Sequence, residues 1–83
     1  MNLEILTPDQ KVFSGEVLSV NLPGTHGAFE VLQGHAPIVS NLTKGNVVIR
    51  TTTKDQKNVT ITGGIVEVLN NKVIILADAV KQD

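Results

Sequence analysis

The chain has no cysteine, tryptophan or tyrosine, and its only aromatic residues are Phe13 and Phe29. Without thiols there is no disulfide framework, no thiolate nucleophile and no thiolate metal site, so packing alone must hold the fold together. Two rings are too few for a base-stacking platform, and the seven basic and eight acidic residues, interspersed to a net charge of −1, form no basic stripe. Nucleic acid is therefore not an expected partner. No apolar run approaches the ~18 residues of a membrane-spanning helix, and the opening MNLEILTPDQ lacks the basic stretch and apolar core of a signal peptide. A soluble chain that starts at its own Met1 is expected. With 83 residues there is material for one domain, 1–83. A unit of this size buries only about 60% of its unfolded surface, so some dependence on a partner is anticipated.

Alanine is scarce as well, with four copies against 27 residues of Val, Ile and Thr. That ratio favours pleated strands over helices. Read by period two, Asn2 to Leu6 forms a strand with Leu3 and Ile5 on one face, and Pro8 and Asp9 reverse the chain. Residues 12–22 read as one long strand with a bulge at Gly15; Leu18, Val20 and Leu22 share one face, and Ser19 and Asn21 look to solvent from the other. Residues 23–37 are dense in Gly and Pro and hold one short β-like piece, 29–32. Strands follow at 47–53, 59–62, 65–69 and 73–76, separated by turn formers at Lys44-Gly45-Asn46, 54–58, Gly63-Gly64 and Asn70-Asn71. The last of these fits a two-residue hairpin whose central residues both need positive φ. Such short connections predict antiparallel pairing and an all-β fold, a small sandwich or flattened barrel. Residues 77–83 are compatible with the first turn of a helix that never lengthens. Strand 73–76 is apolar on both faces, which fits a central strand buried on both sides better than a face reserved for another protein.

Candidates for chemistry are few. His35, in Gln33-Gly34-His35-Ala36-Pro37, has the loop setting of a base or metal ligand, but the only other histidine, His26, bears no ligand-like spacing to it. A structural or interface role is the better reading. Glu30, Glu67 and Asp78 read as exposed carboxylates with no partner among them. Gly24-Thr25-His26-Gly27 lacks the lysine and the following helix of a phosphate loop and reads as a turn. Asn41-Leu42-Thr43 and Asn58-Val59-Thr60 match the glycosylation sequon but are inert without secretion. Lys72, just after Asn70-Asn71, raises the alternative of a lipoyl- or biotin-type carrier, or an adaptor sandwich. Its neighbours Asn71 and Val73 are not the Met, or Asp and Ala, that flank the acceptor lysine of those carriers. No catalytic, cofactor-binding or metal-binding residue is expected.

Several segments taken together are distinctive: Phe13-Ser14-Gly15-Glu16; Leu22-Pro23-Gly24 through Gly27-Ala28-Phe29 to Val31-Leu32-Gln33-Gly34-His35-Ala36-Pro37; Gly63-Gly64-Ile65-Val66-Glu67-Val68; and 73–78. Across nearly the whole chain this combination resembles the epsilon chain of bacterial rotary ATP synthases. The resemblance implies a flattened ten-stranded antiparallel β-sandwich, the amino-terminal domain of that subunit. It also implies a non-catalytic rotor component of the central stalk, without a cofactor, that grips the gamma subunit along one side and rests on the loops of the c-ring, coupling proton flow to ATP synthesis. Such a subunit sits on the cytoplasmic face of the bacterial inner membrane, peripheral and held there only through the complex. Carried over by position, Gly27, Ala28, Phe29 and Glu30 would form the c-ring-facing loop. Thr7, Gly34, His35, Ala36 and Pro37 would lie at the gamma or ring contact.

The sequence departs from the family pattern at Ala28, where an acidic residue is common, at Glu30, where glycine is common, and at Gln33, where proline is common. If the acidic contact has moved to Glu30, strand parity would keep it on the surface that Ala28 occupies. The chain ends without the two-helix hairpin found in most of the family, so neither ATP sensing nor inhibition by helix insertion is expected of this polypeptide.

Overall fold

A computed structural model describes residues 1–81. They form ten strands: β1 (Asn2–Leu6), β2 (Lys11–Glu16), β3 (Ser19–Gly24), β4 (Gly27–Leu32), β5 (Ile38–Leu42), β6 (Gly45–Arg50), β7 (Gln56–Ile61), β8 (Gly64–Leu69), β9 (Lys72–Ala77) and β10 (Val80–Lys81). Alternation produces them: in β8 and β9, Val66, Val68, Val73, Ile75 and Ala77 turn inward while the residues between them turn out.

The strands make one continuous sheet in the order β10-β7-β6-β3-β5-β8-β9-β1-β2, with β4 added along β3. The sheet curls over itself at β3. One edge of β3 carries β4 along its length; Ser19, Val20 and Asn21 also pair with β6, and Gly24 pairs with Leu42 of β5. This makes two layers, β10-β7-β6-β3-β4 and β5-β8-β9-β1-β2. Val20, Leu22, Val31, Val47, Ile49 and Ile61 of the first layer and Leu3, Ile5, Val66, Val68, Val73 and Ile75 of the second are all at most 1% exposed and belong to one hydrophobic cluster. On the side away from β3, the Lys57 ammonium of β7 lies 5.6 Å from the centroid of the Phe13 ring of β2, so the layers meet there as well.

The all-β sandwich expected from the sequence is what forms, and several details differ. Residues 12–22 are not one strand, because the chain turns at Val17 and Leu18 to leave one layer for the other. Val20 and Leu22 face the core as expected, but at the turn burial is exchanged: Leu18 is 48% exposed and Ser19 is 7% exposed. The irregularity in β2 is opposite the Ile5–Leu6 step and leaves Val12 without a partner, while Gly15 sits in regular register with Leu3. β5 and the start of β4 were hidden by the surrounding Gly and Pro. The tail forms β10, antiparallel to β7, in place of the expected helical turn, because Val80 and Lys81 reach Ile61 and Thr60; Gln82 and Asp83 lie outside the described residues. Pairing is not antiparallel throughout, since β1 lies parallel to β9, with Asn2 opposite Lys72 and Leu6 opposite Leu76. Asn70 and Asn71 adopt φ of 50° and 63°, as the two-residue hairpin requires.

Candidate protein-docking face

The two outer surfaces of the sandwich are chemically unlike. On the first layer, most outward positions are polar: Asn21 and Glu30, then Asn46, Arg50, Asn58 and Thr60, with the Thr60 hydroxyl donating to Asn46 Oδ1 at 2.7 Å; half-buried Val48 between Asn21 and Asn58, and exposed Leu32 at the end of β4, are isolated apolar exceptions. On the second layer, strand parity sends Val39 from β5, Ile65 and Leu69 from β8, and Ile74 and Leu76 from β9 to the outside. Val39, Ile65, Leu69 and Leu76 are 70%, 43%, 47% and 52% exposed. Register sets them in rows: Val39–Glu67–Ile74–Glu4, and beside it Asn41–Ile65–Leu76–Leu6. Strand 73–76 is thus central in its sheet yet buried on one side only. Val73 and Ile75 enter the core and Leu76 faces out, so the expectation of burial on both sides is corrected. A run of apolar side chains crossing three neighbouring strands is the kind of surface that another protein covers.

Shallow grooves mark both ends of this face. At one end Thr7 and Pro8 border a groove with Gly64, Ile65 and Leu76. At the other, Pro37, Ile38 and Val39 border one with Glu67 and Leu69. The carboxylate of Glu4 at the margin of the face is matched within the chain, with Lys11 Nζ and Lys72 Nζ each 3.5 Å from it.

The residues singled out from the sequence are distributed as follows. Gly34 (φ 81°) donates its N–H to Asn71 Oδ1 at 3.1 Å, and the His35 N–H donates to the Leu32 carbonyl at 3.0 Å. The first bond ties this loop to the β8–β9 turn, and the second closes the loop onto the end of β4. The His35 ring is half-buried, with Nδ1 2.7 Å from the Ala36 carbonyl oxygen, a local contact that positions the ring and brings no second catalytic group to it. Thr7 is at the opposite end of the strands from this loop, beside Gly64 and Leu76. The structure therefore does not bring Thr7 and the 34–37 segment together; it places them at the two ends of the apolar face.

Gly27, Ala28, Phe29 and Glu30 are not a loop. They are the first part of β4, paired with Gly24, Pro23, Leu22 and Asn21, and the turn is only Thr25 and His26. The turn closes this tightly because Gly24 has no side chain: a Cβ there would lie 2.7 Å from the Gly27 carbonyl oxygen and 2.9 Å from the Phe29 ring. Phe29 is half-buried and packs on the core, so its ring serves the fold. Ala28 and Glu30 are exposed and share the outward face, as strand parity requires. Lys72 opens β9 rather than standing at a hairpin tip, and its ammonium faces Glu4, which leaves little support for the carrier alternative.

Comparison with known proteins joins these observations. Residues 1–83 match the family described as ATP synthase, Delta/Epsilon chain, beta-sandwich domain. The chain is 42% identical over 78 residues to the ATP synthase epsilon chain of Chlorobium limicola, covering 94% of this chain and 89% of that one. It is 45% identical over 80 residues to the epsilon chain of Pelotomaculum thermopropionicum, where it covers 96% of this chain and 59% of the relative. A chain in the cryo-EM structure of the Euglena gracilis mitochondrial ATP synthase (OSCP/F1/c-ring) shares the fold with a TM-score of 0.88 at 22% identity, covering 95% of this chain and 51% of that one. Another, in the central stalk/c-ring of the Tetrahymena thermophila enzyme, does so with a TM-score of 0.84 at 15% identity, covering 98% and 65%. A matching sequence over its whole length and a matching sandwich lead to one conclusion: the chain belongs to the ATP synthase delta/epsilon chain β-sandwich family.

Proposed function

We propose that this chain is a non-catalytic rotor subunit of an ATP synthase, one β-sandwich unit over 1–83 that binds the gamma subunit through the outer face of β5, β8, β9 and β1. The observation that carries this reading is the asymmetry of the sandwich, mostly polar on one outer surface and bearing the contiguous run of Val39, Ile65, Leu69 and Leu76 on the other, with Thr7 and the 34–37 segment at the two ends of the apolar side. Family membership supplies the partner. The end that carries the Thr25–His26 turn, with Gly27, Ala28 and Glu30 on β4 beside it, meets the c-ring, and the exposed Glu30 provides the acidic contact in place of Ala28. In this role the chain makes and breaks no bond and transmits torque between the proton-driven ring and the catalytic head. It reaches the cytoplasmic face of the bacterial membrane through the complex; among the described residues no helix is long and apolar enough to cross one.

The test is a calorimetric titration of the full chain with its cognate gamma subunit, calorimetry being chosen because a chain without Trp or Tyr is nearly invisible at the usual absorbance wavelength. One-to-one association is expected. Leu76→Asp on the apolar face should weaken it by about 100-fold or more, since a charge would be desolvated without a partner. Asn58→Asp, on the polar face, should leave it unchanged. Absence of binding between two folded proteins would sink the proposal. In the assembled enzyme, a Glu30→Ala variant with normal proton-coupled synthesis would remove Glu30 from the ring contact.

A further inference from the structure

We propose that Glu67 is the ionic anchor of the apolar face, and that the protein surface covering this face presents an arginine or lysine to it. The inference rests on the docking reading above and adds the chemistry the partner must carry. Glu67 is exposed at the middle of β8, directly opposite Val39 on one side and Ile74 on the other, with Ile65 and Leu69 as its outward neighbours along the strand. Every nearest outward position is therefore apolar.

The other carboxylates that project outward from the strands of this layer have their counter-ions within the chain. Glu4 lies 3.5 Å from both Lys11 and Lys72, and Glu16 lies 3.1 Å from the Met1 ammonium. Lys72 borders the same groove as Glu67 but its ammonium lies 3.5 Å from Glu4, and among the described residues no cation lies within ion-pair distance of Glu67. In the free chain water solvates it. A partner that covers Val39, Ile74 and Leu76 must strip that water away, and a desolvated carboxylate without a counter-charge opposes binding strongly. A guanidinium answers this best, because its planar fork donates to both carboxylate oxygens and it sheds water more readily than an ammonium. The same charge limits what else can occupy the face. An acidic or wholly apolar surface is rejected, and a two-fold self-pairing centred on β8 would set one Glu67 against its copy. The acid thus acts mainly on specificity, within a surface whose area is apolar.

The experiment is titration of the full chain with the cognate gamma subunit at low and at high salt, using wild type, Glu67→Gln and Leu76→Asp, with thermal melts to show that each variant folds. Glu67→Gln is expected to melt like wild type, to bind about 10- to 100-fold more weakly, and to lose most of the salt dependence that wild type shows. Glu67→Arg should bind more weakly than the Gln variant. If Leu76→Asp weakens binding and Glu67→Gln binds as wild type with the same salt dependence, the anchor is refuted while the docking face stands; in that case Glu67 serves only to keep the bare face soluble, and sedimentation of Glu67→Gln should then show self-association. If neither substitution changes binding, the face is not the contact and the proposal falls with the docking reading.

Discussion

Gly64 is where a single added carbon should cost the fold most for its size. It opens β8 at a φ of 153°, opposite Ala77 of β9. A Cβ placed there would collide with the Leu76 carbonyl oxygen and stand 2.9 Å from Ala77 Cα and 3.1 Å from the Leu76 carbonyl carbon. All three are backbone atoms of the paired strand, so relief requires moving β9 rather than rotating a side chain. Gly64→Ala should therefore combine backbone strain of about 1–3 kcal/mol with an overpacking cost of about 1–3 kcal/mol. A chain of this length is stable by roughly 4–12 kcal/mol, so the variant should retain little of its margin. Gly27→Ala is the control, since its φ of 125° imposes strain but no atom lies within 4 Å of the added carbon. Urea unfolding followed by far-ultraviolet circular dichroism reads both. With a slope near 1 kcal/mol per molar urea, the midpoint should fall by about 2–6 M for Gly64→Ala and by about 1–3 M for Gly27→Ala, the former larger by the overpacking cost. Equal midpoints for the two variants would show that β9 yields freely and would refute the steric reasoning.

Two further outcomes follow from the same packing. Ile75→Ala empties a fully buried position at the centre of the second layer and should cost about 2–5 kcal/mol by the same urea assay. Asn71→Ala removes both a side chain tolerant of φ 63° and the acceptor for the Gly34 N–H; a loss of about 1–2 kcal/mol is expected, with faster amide exchange at Gly34 as the sign that the 33–37 loop has come free of the turn.

How far the sequence can be read here depends on whether a feature is local. Asn70-Asn71 was legible because two adjacent residues that tolerate left-handed backbone announce their own turn. The alternation of 65–69 and 73–76 was legible because inward Val and Ile repeat at period two. The break at Val17 and Leu18 was not, because nothing in the Val-Leu-Ser-Val run opposes extension; the chain turns there to cross between layers, and the exchanged burial of Leu18 and Ser19 follows from that crossing. Lys81 and Val80 form a strand because β7 offers them an edge, which no residue in the tail reveals. The GHAP segment and the Gly24 to Gly27 turn carried the family resemblance, yet their separation from Thr7 needed the strand directions. The apolar face was foreshadowed only by the two-sided apolarity of 73–76. Val39, Ile65 and Leu76 come from three strands far apart in the chain, and only the register makes them neighbours.

The parallel pairing of β1 with β9 has a consequence for the order of events in the cell. Leu3 and Ile5 leave the ribosome well before β9, and the strand that flanks them opposite β2 is completed only when Ala77 has been added. Until then the nascent β1–β2 hairpin holds an open edge and an uncovered pair of aliphatic side chains, a state that invites chaperones or unwanted strand pairing. Closure of this sheet is thus a long-range step that sets a slow pace for folding, and β1 is locked in place only after β9 has been made.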